Sequence, residues 1–122
     1  MKLNKPKFNI LKNIGYAIEG GIAVLKSENS FRTQLFFIIL IGIGLIFINI
    51  DFLSKLILFF STWLILFAEA INSAIERVVD LVTNDFHPLA KEAKDIGAFA
   101  VFLAFLIVAA IWGAVLYYEF VK

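Results

Sequence analysis

The chain has 122 residues, and 61% of them are hydrophobic, with 14 Phe; its mean hydropathy is +0.92. A soluble globule of this size has too much surface to hide that much apolar side chain, so lipid must serve as part of its solvent. The absence of Cys excludes disulfides, thiolate chemistry and Cys-based metal sites, and a net charge of +1 gives no case for nucleic acid.

Residues 1–7 are basic and polar, with Pro6, and read as a loose lead-in. No apolar run with a small-residue cleavage site follows closely, so no removable signal peptide is expected. From about 8 to 27, apolar residues recur at helical spacing: Phe8, Leu11, Ile14, Ile18, Ile22 and Leu25. Lys12, Asn13, Glu19 and Lys26 fall elsewhere, which predicts an amphipathic helix lying on the membrane surface. A charged knot, Lys26 to Arg32, precedes an uncharged run from Leu35 to Ile48. With its flanks, 33–50 is close to the lower length limit for a span.

The second span opens after Asp51 and stays uncharged to Ala68. The helical pattern then continues through Glu69 without Gly or Pro, so this helix is extended beyond the bilayer, covering 53–84. Asp85-Phe86-His87-Pro88 breaks it, because Pro disfavours helix in the residue before it. A polar stretch, Lys91 to Asp95, leads into the third span, 94–118. Its Ile96–Tyr118 stretch is uncharged, with Trp112, Tyr117 and Tyr118 near the far end. Nine Lys and Arg fall before the first span or around the second connection, against two on the other side. That bias predicts a multi-pass protein with its N-terminus and any active site in the cytoplasm.

Glu69 is a carboxylate inside or at the edge of the bilayer, where it costs several kcal/mol unless it faces a partner or a wet cavity. On a helical wheel Asn72, Glu76 and Asp80 fall at about −60°, −20° and +20° from it, forming one stripe that runs out into the cytoplasm. A buried polar network holding helices together is the plain alternative. Three acids in a row repel unless cations intervene, and Arg77, Lys94 or a divalent metal would supply them. Oxygen ligands of this kind suit Mg²⁺. Glu28 and Arg32 before the first span, and Lys94-Asp95 before the third, lie at the same depth. Singly they read as a surface pair and an interfacial anchor; together they suit a phosphate–Mg²⁺ site beside a lipid headgroup. His87 reads as a turn histidine, and Gly42-Ile43-Gly44 as a helix-packing site.

The segment Glu69-Ala-Ile-Asn-Ser-Ala-Ile-Glu-Arg-Val-Val-Asp closely resembles the signature E-x-x-N-S/T-A-I-E-x-x-x-D of the membrane-integral bacterial diacylglycerol kinases, a family that includes undecaprenol kinases. Phe86-His87-Pro88-Leu89-Ala90-Lys91 and Ala93-Lys94-Asp95 are similar to the family's next block. Gly15-Tyr16-Ala17 and Glu28-Asn29-Ser30-Phe31-Arg32 fit its N-terminal pattern. The similarity spans about residues 11–113.

The resemblance implies an all-α integral membrane fold, with three transmembrane helices plus an N-terminal amphipathic surface helix, assembling as a homotrimer. It implies a single lipid kinase domain over 1–122 in the bacterial inner membrane, moving the γ-phosphate of ATP to diacylglycerol to give phosphatidic acid. Undecaprenol is the alternative acceptor, and a small ion or proton conductor the distant alternative. By the same resemblance Glu69 is the catalytic base, Asn72 orients it, and Glu28 and Glu76 bind Mg²⁺. ATP contacts are implied for Tyr16, Glu28, Glu76, Asp80, Asp85, Phe86, His87, Lys94 and Asp95. Contacts to the lipid are implied for Glu69, Phe31, Arg32, Ala98 and Trp112. Asp85-Phe86 in place of Glu-Tyr, and Glu19 in place of a basic residue, depart from some diacylglycerol kinases; these leave the chemistry intact and the acceptor open.

Overall fold

The computed structural model describes residues 7–121, as four helices and their connections. Most of the basic lead-in and Lys122, which entered the charge comparison, lie outside the described residues. Helix α1 spans Ile10–Ser27, α2 Asn29–Phe47, α3 Phe52–Val82 and α4 Pro88–Phe120. The last three are long and apolar enough to cross a membrane, and the chain is a multi-pass membrane protein.

Helices α1, α3 and α4 start where a side chain satisfies a free backbone N–H, whereas α2 starts at Glu28 with no side-chain cap. Asn9 accepts from Lys12 N at 3.2 Å, opening α1 two residues later than the periodicity suggested. Glu28, in extended conformation, ends α1 and begins α2, so a single residue separates the two. Arg32 ties that corner down, donating from Nη1 to Leu25 O at 2.6 Å and Lys26 O at 2.8 Å, two of the free carbonyls at the end of α1.

Two expected boundaries are corrected. The first span was expected to run to residue 50, but α2 stops at Phe47, because Ile48 is extended and Asp51 caps α3 through Leu53 N at 3.0 Å. The polar stretch Lys91–Asp95, read as a lead-in, is already helix. Pro88 stands at the first helical position, where its missing N–H costs nothing. His87 Nδ1 accepts from Leu89 N at 3.2 Å, and Lys91 pairs with Asp95 four residues on at 2.5 Å.

Helix α3 has 31 residues, about 46 Å at the α-helical rise, against some 30 Å of hydrocarbon. It is antiparallel to both α2 and α4 and carries most of the buried residues. Ile65 and Ala68 of α3 meet Ala104 and Val108 of α4, with Leu64, Val101 and Trp112 around them. The α2–α3 seam closes where Gly42 lies under Phe59: a Cβ at residue 42 would come within 2.7 Å of the ring, the close approach that small residues permit in membrane helices. Phe36, Phe37, Phe60, Phe67, Phe99 and Phe102 point outwards, as side chains solvated by lipid would.

Candidate active site

The polar stripe of α3 is real, and its members meet different partners in turn. Glu69 is 8% exposed. Its Oε1 accepts from Ser30 Oγ at 2.5 Å and its Oε2 from Gln34 Nε2 at 3.1 Å. Both donors come from the first two turns of α2. None of the ion pairs among the described residues involves Glu69, so neutral donors and the positive end of α2 hold its charge.

One turn on, Asn72 is 9% exposed and donates from Nδ2 to Glu76 Oε1 at 3.1 Å. Its Oδ1 is buried without a partner and lies against Gly97 of α4 so closely that any Cβ there would collide with it. Ser73, also buried, donates to Glu28 Oε1 at 3.0 Å. Arg77 Nη2 stands 3.7 Å from the same oxygen and donates to Ser27 Oγ. Glu28, at the α1–α2 corner, is thereby drawn onto the face of α3 next to the stripe.

The stripe ends in the last turns of α3, where Lys94 Nζ donates to Asp80 Oδ1 at 2.6 Å. This pair borders a cleft of about 400 Å³ between the end of α3 and the start of α4, lined also by Asp85, Phe86, His87, Lys91 and Asp95. The hydrogen bond to Asp95, then its charge, raises Lys91 above the ordinary lysine value in the exposed first turns of α4. Exposed pairs of this kind stabilise little; they set the position and sign of charge around an open cleft.

The structure therefore brings Glu28, Glu69, Asn72 and Glu76 onto one surface, and Asp80, Asp85, Phe86, His87, Lys94 and Asp95 around one cleft. Other candidates are not brought in. Tyr16 is exposed on α1. Phe31 is half-buried and Ala98 exposed. Arg32 is occupied with the α1 carbonyls. Trp112 donates from Nε1 to Leu58 O at 3.2 Å, eleven residues down α3 from Glu69 and so roughly 16 Å away along the axis.

Ser30, Gln34 and Ser73 are the functional-surface residues that sequence reasoning missed. Ser30 and Gln34 are four apart, hence on one helical face, and that spacing was the available signal.

Glu76 within the stripe and Glu28 beside it each have one oxygen engaged by a neutral donor, that of Glu28 also lying 3.7 Å from Arg77. Among the described residues no three acids or histidines converge on one point. Such a donor set fits Mg²⁺ bound in part by substrate phosphates, since this ion commonly takes one or two carboxylates and keeps the rest for phosphate and water.

A family model described as prokaryotic diacylglycerol kinase matches residues 15–116. Diacylglycerol kinase of Escherichia coli is 32% identical over 111 residues, 91% of each chain. That of Haemophilus influenzae is 33% identical over 110 residues, covering 90% of this chain and 93% of the relative. That of Pseudomonas aeruginosa is 34% identical over 108 residues, covering 88% and 87%.

Proposed function

Since the chain belongs to the prokaryotic diacylglycerol kinase family, we propose that it transfers the γ-phosphate of ATP to the primary hydroxyl of diacylglycerol, giving phosphatidic acid. The observation that carries this reading is the buried Glu69 carboxylate, at one end of a polar stripe that reaches an open, charged cleft. A lipid hydroxyl lives at the membrane interface and a nucleotide in the cytoplasm, so a lipid kinase needs a polar path between those depths. The relatives' printed names support diacylglycerol over a polyprenol as the proposed acceptor.

In this reading Glu69 takes the proton from the lipid hydroxyl. Asn72, wedged against Gly97 and bonded to Glu76, fixes the spacing between base and phosphate side. Lys94 neutralises phosphate charge at the mouth of the cleft, with Asp80 and Asp95 limiting where its ammonium points. Glu28 and Glu76 would hold Mg²⁺, which when bound supplies charge neutralisation to the phosphates of ATP. Phosphoryl transfer is mostly positioning and electrostatics, so a small helical scaffold suffices.

The positive charge around Glu28 and the α3–α4 connection supports a cytoplasmic active site in the inner membrane. Glu76 is half-buried and Asp80 more open, which supports a homotrimer in which neighbouring copies cover the stripe. The exposed apolar residues of α1, among them Leu11, Ile18 and Ile22, support its lying on the bilayer surface.

The test offers dioleoylglycerol and undecaprenol together in one micelle preparation with γ-labelled ATP and MgCl2. Label is expected in phosphatidic acid. Label confined to undecaprenyl phosphate would overturn the acceptor, and label in neither lipid would overturn the lipid kinase.

A further inference from the structure

We infer that Ser30, acting with Gln34, is a positioning residue for Glu69: the two side chains fix the carboxylate from α2, one donor on each oxygen. The inference rests on the reading of Glu69 as the base. Ser30 Oγ reaches Oε1 at 2.5 Å and Gln34 Nε2 reaches Oε2 at 3.1 Å, and their i, i+4 spacing aims both from one helical face. A carboxylate held at one oxygen swings about its last torsion, whereas one held at both is locked in plane.

The donors are neutral, and that matters for the chemistry. Each carboxylate oxygen has two lone-pair sites, and a single hydroxyl or amide donor leaves one of them for the lipid hydroxyl. An ammonium or guanidinium would compete for both. Gln34 gives up something for this arrangement: with its amide nitrogen committed to Glu69, its Oε1 is buried without a partner. Ser30 also lies two residues after Glu28, so the same turn of α2 that orients the base follows the carboxylate bonded to Ser73. The base and that carboxylate are thereby set relative to each other through one rigid element.

The experiment measures kcat and KM for dioleoylglycerol and for ATP with Ser30→Ala, Ser30→Thr and Gln34→Ala in detergent micelles. Size-exclusion chromatography checks assembly. Ser30→Ala is expected to lower kcat by about tenfold or more, the scale of a displaced catalytic group, with both KM values within about threefold of wild type. Ser30→Thr, which keeps the hydroxyl, should recover most of that kcat. Should Ser30→Ala fail to assemble, Gln34→Ala carries the same expectation for the other oxygen.

The inference is overturned by an unchanged kcat, by a loss carried in the lipid KM, or by Thr losing as much as Ala. Glu69→Gln in the same assay separates the two levels. A fully active Glu69→Gln overturns the base itself; an inactive one beside a normal Ser30→Ala overturns only the positioning.

Discussion

Replacing Gly97 by Ala tests the packing that sets Asn72. In an ordinary helix interior this change gains about 1 kcal/mol, because Gly has more backbone freedom to lose. At residue 97 the new methyl would run into Asn72 Oδ1, with Cγ at 3.3 Å and Ile75 Cδ1 at 3.6 Å. Asn72 is 9% exposed, so its amide has little room to yield. Overpacking of this kind costs about 1–3 kcal/mol, and losing the Asn72–Glu76 bond, to a charged acceptor, costs about 1.5–3 kcal/mol more. After the helix gain, the net loss is roughly 1.5–5 kcal/mol.

Gly113, on the same helix, has nothing within 4 Å of its notional Cβ, and Gly113→Ala should gain about 0.5–1 kcal/mol. Unfolding of the detergent-solubilised variants by rising SDS mole fraction, followed by circular dichroism, ranks them directly. Gly97→Ala is expected to unfold first, wild type next and Gly113→Ala last, with lipid phosphorylation lost only in Gly97→Ala. A Gly97→Ala protein as stable and as active as Gly113→Ala would refute the reasoning from this contact.

Glu69→Gln should reduce lipid phosphorylation by roughly 10²–10⁴-fold, the usual worth of a general base, while size-exclusion still shows an assembled protein; near wild-type activity would remove the base. Glu28→Ala and Glu76→Ala should each raise the Mg²⁺ concentration for half-maximal activity, on the order of tenfold; a Mg²⁺ titration unmoved in both would remove the metal assignment. His87→Ala removes the α4 cap and should cost about 1 kcal/mol in the SDS titration, with His87→Asp recovering it. Equal loss in Ala and Asp variants would show that capping is not its contribution to stability.

The three spans were legible because hydropathy over a long window needs no knowledge of neighbours. Their ends were not. Ile48 is as apolar as the run before it, yet its backbone is extended, and composition does not report backbone conformation. Lys91–Asp95 looked like a linker because it is polar, although Pro at the first helical position and an i, i+4 Lys–Asp pair are helix signals. The stripe from Glu69 to Asp80 lies on a single helix, so the period of 3.6 residues revealed it. Its partners Ser30, Gln34 and Gly97 belong to other helices, and naming them needs the registers of α2 and α4 against α3, which no local pattern encodes. Trp112 was legible only by its place near a span end; that its indole N–H donates to Leu58 O again needs the register of α4 against α3.

Along the stripe, the kind of partner changes with burial. Glu69, the most buried acid, meets a hydroxyl and an amide; Glu76, half-buried, meets an amide; Asp80, open to water, meets an ammonium. That order follows from desolvation. Bringing a second charge to the depth of Glu69 would strip the hydration from two ions, a penalty that mutual attraction often fails to repay. At Asp80 water does most of the solvating, and an ion pair costs little and gains little. The gradient also suits a reaction that starts at a lipid hydroxyl and ends at a phosphate. Under the proposed function, the carboxylate that takes the proton is held by neutral donors that leave it lone pairs to accept with, and a cation already stands where the phosphates would lie. A lysine in place of Gln34 would reverse that assignment, setting its ammonium on the lone pairs that the lipid hydroxyl has to reach.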